Sequence, residues 1–154
     1  GLPCLAPCTP AGVMELLKSY QLSPKGKKAV VIGRSNIVGK PLSIMLSAKG
    51  DYADATVTLC HSRTHDLPSF TRSADFLFVA MGNPGFLRGD MVKQGAVVID
   101  VGISVTEKGL QGDCDFDSVS KVASALPPVP GGVGPMPIAM LPKHTLQAFV
   151  SHIG

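Results

Sequence analysis

The feature that most constrains this chain is the recurrence of short apolar runs: "AVVI" at 29–32, "ATVTLC" at 55–60, "DFLFVA" at 75–80 and "AVVIDV" at 96–101. Their apolarity is largely continuous rather than alternating. A strand of that kind has no face to give to water, which is the habit of a parallel sheet covered by helices. Turn-rich or helical segments separate the runs, so the pattern predicts an α/β fold, Rossmann-like and doubly wound, with a mostly parallel sheet and helices on both faces. A shorter run, "ASALP" at 123–127, is expected to follow the fourth strand.

The connecting segments differ in character. Thr9 and Pro10 read as a helix start, a hydroxyl at N-cap and a proline at the first helical position. That helix is predicted to reach about Tyr20, with Val13, Leu16, Leu17 and Tyr20 on one face. A second helix is predicted from Gly39, with Pro41 in its first turn, to a stop at Gly50. "HSRTHDLPSFTRSA" is only weakly helical, and "MGNPGFLRGDMVKQG" reads as turns with at most a short helix.

Length and composition exclude several classes. With 154 residues, 45% hydrophobic and 16% charged, the chain suits a single domain with its own core and is not disordered. No apolar run approaches the roughly 18 residues that would span a bilayer, so no membrane partner is expected. The net charge of +3 is small and the basic residues are scattered, which argues against nucleic acid. Four cysteines without disulfide-framework spacing, and no signal segment, imply a reducing compartment, by default the cytoplasm. Cys4 with Cys8 and His61 with His65 have spacings that zinc can use, but they read better as ordinary structural residues. The chain begins at Gly1 with an abrupt apolar stretch, as a domain cut from a longer protein would.

In a doubly wound sheet the ligand crevice lies at the carboxyl ends of the strands. Here those ends carry "GRSNIVG", "HSRT", "MGNPG" and "GI". Gly33 allows a sharp turn, and the helix behind it is expected to offer free N–H groups to a phosphate, with Arg34 and Ser35 adding a guanidinium and a hydroxyl. The motif departs from G-x-G-x-x-G: Ser35 replaces the second glycine, and Gly39 follows Gly33 by six positions. After the second run stand Ser62 and Arg63, where an NAD-selective site would carry an acidic residue. A donor and a cation there suit a 2′-phosphate. The stretch "LPPVPGGVGPMPIAMLPKHT" adds a stiff proline- and glycine-rich loop whose backbone can approach a flat ligand.

In order and spacing, "PCTPAG", "VVIGRSNIVGKP", "CHSRT", "GAVVIDVGI", "GDCDF" and "PVPGGVGPMPIAML" resemble the signature segments of the bifunctional methylenetetrahydrofolate dehydrogenase/cyclohydrolases. The resemblance covers nearly everything from Pro7 onward. It implies one NAD(P)-binding domain over 1–154, with 1–24 a leading segment and helix and 137–154 a closing helix. It also implies NADP as cofactor and tetrahydrofolate derivatives as substrates, oxidised at the methylene level and hydrolysed at the methenyl level, and a homodimer in the full-length enzyme. Carried over by position, Gly33, Arg34 and Ser35 would hold the cofactor phosphates, with Ser62 at the adenosine end and Ile103 by the nicotinamide. Val129, Pro130, Gly131, Gly132, Val133, Gly134 and Pro135 would line the folate side.

Two departures carry expectations of their own. Pro137 stands where the family usually has threonine, and Pro142 falls inside the closing helix, where an interior proline costs about 3 kcal/mol. The helix is therefore predicted to be interrupted near 142. The family's catalytic lysine belongs to a Tyr-x-x-x-Lys segment, and Tyr20 and Tyr52 are followed four positions on by Pro24 and Thr56. The catalytic wall is thus expected upstream. A dinucleotide-binding module without catalysis is the alternative. A different oxidoreductase would need His61 or His65 as its base.

Overall fold

The structure, a computed structural model, describes residues 5–107 and 109–153. Four parallel strands, β1 (Lys28–Ile32), β2 (Thr56–Cys60), β3 (Phe76–Val79) and β4 (Val97–Asp100), form one sheet in the order β2-β1-β3-β4. All four fall on the expected runs. Successive residues of β1, β3 and β4 go to opposite sides, where both are buried, which is why no alternation shows in the sequence. Ala29, Val31, Phe76, Phe78, Val97 and Ile99 pack into one core cluster; Val30, Ile32, Leu77, Val79 and Val98 pack into the other.

The first cluster is closed by α1 (Cys8–Ser19), through Val13, Leu16 and Leu17, and by α2 (Gly39–Ser47), through Leu42 and Leu46. The second is closed by α3 (Leu67–Ser73), by a 3₁₀ turn (Gly89–Met91) and by α4 (Phe116–Val119), using Leu67, Met91 and Val119. Helices on both faces make this the doubly wound arrangement. The run at 123–127 contributes only a single bridge, Ala125 beside Val97, with Val98 N–H donating to the Ala125 carbonyl at 2.9 Å. Pro127 and Pro128 follow and have no N–H to extend the ladder. A small antiparallel hairpin, β5 (Ser104–Thr106) and β6 (Gly109–Gln111), was not expected.

The first helix is capped two residues before the expected Thr9. Pro7 is the N-cap, and Thr9 and Pro10 lie within the first turn. No donor is needed from the first four residues of a helix, so a proline there does not fix which one comes first. Tyr20 is the C-cap and 68% exposed, not part of the buried face. The second helix stops at Ser47, with Ala48 as C-cap, short of Gly50.

The expected interruption at Pro142 is also absent: α5 (Pro135–Ile153) is helical throughout. Pro135 and Pro137 both sit in its first turn, where their missing N–H groups cost nothing. Pro142 removes one bond, to the carbonyl of Ile138. That residue is 76% exposed, so water can take the carbonyl. α5 lies against α1, where Gly12 leaves room for Met136 (a β-carbon on Gly12 would come within 2.7 Å of the Met136 β-carbon). Cys8 Sγ and His144 Nδ1 are 3.7 Å apart across the same seam.

Candidate functional site

The opening loop is built by contacts that exclude side chains. Gly33 has φ +116°, and a β-carbon there would overlap the carbonyl oxygen of Ala80; one on Gly39 would overlap the carbonyl of Gly33 itself. These two glycines let the chain cross the end of β3 and let α2 start against the loop. Ser35 takes the place of the absent glycine by a different device. Its Oγ accepts from the N–H of Val38 at 3.1 Å and of Gly39 at 3.3 Å, and its carbonyl accepts from Lys40 N–H at 3.1 Å.

This changes the expected phosphate contact. The first-turn amides of α2 are already used, so they are not free for an anion. The amides of Arg34, Ser35, Asn36 and Ile37, by contrast, have no partner among the described residues. The Ser35 hydroxyl, an acceptor twice over, still has its own proton to donate.

At the end of β2, "HSRT" closes a compact turn. His61 N–H donates to Thr64 Oγ1 at 2.9 Å, Thr64 N–H to the His61 carbonyl at 2.9 Å, and Arg63 N–H to His61 Nδ1 at 3.1 Å. His61 thus holds the turn, and His65 is exposed beyond it. Ser62 and Arg63 project as exposed residues. Gly33, Arg34, Ser35, His61, Ser62, Ala80 and Met81 together line a cleft of about 270 Å³. Arg63, next in the chain after Ser62, is not in its lining.

The ends of β3 and β4 are held quite differently. The Asp113 carboxylate, fully buried, accepts three consecutive N–H groups: Met81 at 2.6 Å and Gly82 at 2.9 Å on one oxygen, Asn83 at 2.8 Å on the other. Asp100, the last residue of β4 and 4% exposed, accepts from Gly102 at 3.0 Å, Asp113 at 3.1 Å and Cys114 at 2.8 Å. Burial pushes the Asp100 carboxyl above the usual carboxylate range, with the like charge of Asp113 adding to it and the backbone donors opposing it. Among the described residues no Lys, Arg or His forms an ion pair with either aspartate. The neighbouring Cys114 and the more distant Cys60 are buried thiols, both pushed above the usual thiol range by desolvation.

Neither aspartate was singled out from the sequence as a site residue. A usable signal existed: Asp100 follows the core residue Ile99 and Asp113 precedes the buried Cys114, with Gly102 two positions after the first and Gly112 just before the second. A β-carbon on Gly102 would overlap the Asp113 carboxylate, and one on Gly112 the Asp100 carboxylate.

The remaining expected residues are spread over several places. Ile103 is 48% exposed and faces Gly134, whose added β-carbon would meet its Cδ1 at 3.2 Å. Val129 borders a cavity of about 260 Å³ beside Asp100 and Cys114. Gly131, Gly132 and Pro135 border a larger one of about 510 Å³ with Leu16, Tyr20 and Met136. The Val133 side chain is buried in the first core cluster, so only its backbone is left to face a ligand. Cys4 of the cysteine and histidine spacings lies outside the described residues, and among those described no three His, Cys, Asp or Glu gather as metal ligands.

Comparison with known proteins agrees with this geometry. Residues 7–153 match the family described as tetrahydrofolate dehydrogenase/cyclohydrolase, NAD(P)-binding domain. The bifunctional protein FolD of Nitratidesulfovibrio vulgaris strain DP4 is 64% identical over the whole chain, which corresponds to 54% of that protein. The crystal structure of the bifunctional FolD methylenetetrahydrofolate dehydrogenase/cyclohydrolase of Campylobacter jejuni superposes with a TM-score of 0.90 at 51% identity, over 96% of this chain and 51% of that one. The Trypanosoma brucei dehydrogenase-cyclohydrolase, complexed with NADP cofactor and inhibitor, gives a TM-score of 0.89 at 41% identity, over 99% of this chain and 53% of that one. This chain spans about half the length of these relatives. Sheet order, glycine-bounded loop and matched segments converge, and the chain belongs to the NAD(P)-binding domain family of the tetrahydrofolate dehydrogenase/cyclohydrolases.

Proposed function

We propose that residues 1–154 form the NADP-binding domain of a folate one-carbon enzyme that oxidises 5,10-methylenetetrahydrofolate and hydrolyses the methenyl product to 10-formyltetrahydrofolate. The observation that carries this reading is the cleft at the carboxyl ends of β1 and β2. Arg34, Ser35 and Ser62 meet there over Gly33, and the turn after β2 presents Ser62 and Arg63 with no acidic side chain among 61–65. Bound there, NADP would supply the acceptor for a hydride leaving the folate methylene carbon.

The chain's own residues would bind and orient. Arg34, the Ser35 hydroxyl and the unpaired amides of residues 34–37 offer donors to the diphosphate. Ser62 and Arg63 suit the dianionic 2′-phosphate, which an acidic residue would repel. Ile103 would lie by the nicotinamide, and the backbone of Val129 to Pro135 would border the folate. The same reading makes the full-length protein a cytoplasmic homodimer. Among the described residues no helix is long and apolar enough to cross a membrane.

The Tyr-x-x-x-Lys pattern is not present in these 154 residues. Losing a positioned acid–base group typically costs 10²–10⁴ in rate, and losing the facing wall also removes orientation and shelter from water. The expected outcome is a chain that binds NADP more tightly than NAD and does not turn over folate. Calorimetric titration with both cofactors, on this chain and on Arg63→Ala, tests the first part; NADPH formation from methylenetetrahydrofolate tests the second. Equal affinities in the unmodified chain would overturn the cofactor assignment. Turnover near that of a full-length relative would overturn the division of labour.

A further inference from the structure

The buried carboxylates of Asp100 and Asp113 have no place in the function just described, yet they lie under one half of the crevice. With the sheet ordered β2-β1-β3-β4, a dinucleotide whose diphosphate sits at Gly33 on β1 extends its adenosine half toward β2. Its nicotinamide half then lies over the ends of β3 and β4. The backbone there consists of Met81 to Asn83 and Gly102 to Ile103.

What fixes that backbone is not local. Three successive N–H groups converging on one point make a small anion nest, and here the chain fills the nest with its own Asp113, reaching across 30 to 32 positions. The nest is therefore closed to a cofactor phosphate. Asp100 holds the other side of the same junction: its carboxylate takes the N–H groups of Gly102, of Asp113 and of Cys114, so the two loops and the clamp are tied into one unit. Burying a carboxylate without a cation is unfavourable, and only the charge-assisted bonds to amides offset it. A junction this dependent on one anion is one whose geometry that anion sets.

We propose that Asp113, backed by Asp100, is a positioning residue for the nicotinamide half of the site. Its carboxylate holds Met81 to Asn83 in the path against which the nicotinamide end rests. The adenosine half, held by the local turns of Ser35 and His61, does not depend on it. This rests on the cofactor reading above.

The test separates the two halves of the cofactor. Dissociation constants for NADP and for adenosine 2′,5′-bisphosphate, which lacks the nicotinamide half, are measured by calorimetry on this chain and on Asp113→Asn. The asparagine keeps the shape but sets an amide –NH₂ against at least one of the three N–H donors. NADP is expected to bind at least about tenfold more weakly, the loss that goes with one charge-assisted hydrogen bond, while the bisphosphate stays within about twofold. A general loss of structure would move both ligands together, and equal losses or two unchanged affinities would overturn the proposal. If the unmodified chain binds neither ligand, the cofactor reading falls and takes this inference with it. If Asp113→Asn does not fold, amide NMR of the unmodified chain decides. The Gly82 and Asn83 signals, which lie outside the cleft of Arg34 and Ser62, must shift on saturation with NADP and stay in place with the bisphosphate; an absent NADP shift, or an equal shift with both, overturns the proposal.

Discussion

The ends of β1 and β2 and the ends of β3 and β4 form two halves of one crevice, but they are shaped by opposite means. On the first side each turn is stapled by a residue within it. Ser35 caps Val38 and Gly39 three and four positions on, and Thr64 caps His61 three positions back. On the second side the loop of Met81 to Asn83 has its shape set by a carboxylate about thirty positions away, and Gly102 by one that is also bonded to residues 113 and 114. A staple costs little to bury because its hydroxyl is neutral. A buried carboxylate is costly, and it is stable only while every amide it gathers stays in place. The first half can therefore lose a contact and sag locally; the second is tied so that one loss frees several strands of chain at once.

The sharpest way to break this contrast is to remove the carboxylate at the junction. Asp100→Ala leaves three N–H groups without their acceptor, beside a cavity from which only water could replace it. At 1–3 kcal/mol for each unsatisfied group, less the relief from no longer burying a charge, the net loss is expected to be about 3 kcal/mol. Urea unfolding of the two proteins measures it. A loss below about 1 kcal/mol would mean that water or a shift of the chain replaces the carboxylate, and the two halves would then differ in appearance only.

The same contrast separates what was legible in the sequence from what was not. Gly33, Ser35 and Ser62 could be assigned to the strand-end loops because strand, loop and helix follow one another, so their neighbours in space are largely their neighbours in the chain. The four strands were visible because burial on both faces leaves an uninterrupted apolar run. Asp100 and Asp113 passed as parts of recognisable segments, since nothing local says that Asp113 will meet Met81. Helix ends were misplaced for another local reason: prolines in a first turn lose no hydrogen bond, so Pro10, Pro135 and Pro137 are compatible with several starting points. Pro142 was overweighted because the cost of an interior proline assumes a carbonyl with no other partner, and Ile138 is exposed. The hairpin of β5 and β6 is three residues per strand, too short for its period to stand out.

A second, smaller effect sharpens the comparison from the other side. Ser35→Ala removes the acceptor for Val38 and Gly39 at the rim of the cleft. The loss should be about 1 kcal/mol, that of an ordinary helix cap. If it matched that of Asp100→Ala in the same urea series, the local staple would be as consequential as the long-range clamp. The distinction drawn here between neutral and charged fastening would have no energetic content.

The smallest effect concerns a carboxylate at the opposite end of the sheet. Asp75, just before β3, accepts from Lys93 Nζ at 2.6 Å and from Lys28 N–H at 3.0 Å, so it too ties distant segments together. Unlike Asp100 it is partly exposed and has a cation. The Lys93 hydrogen bond, then the Lys28 amide, hold its carboxyl below the ordinary value of 3.8. Its side chain is 30% exposed and that of Lys93 47%, so solvent screening keeps the pair weak. Asp75→Asn should lower stability at neutral pH by less than about 1 kcal/mol. The sign with pH follows from the direction of the shift. A carboxyl with a depressed folded-state pKa stabilises above 3.8, and that contribution disappears as pH falls through the lower, folded value. Asp100, shifted the other way, stabilises most below the ordinary carboxylate value and loses that contribution as pH rises through its raised one. Acid should therefore erase the difference between Asp75→Asn and the unmodified chain. A difference that persisted once acid had protonated the carboxyl would show that Asp75 acts by shape rather than by charge.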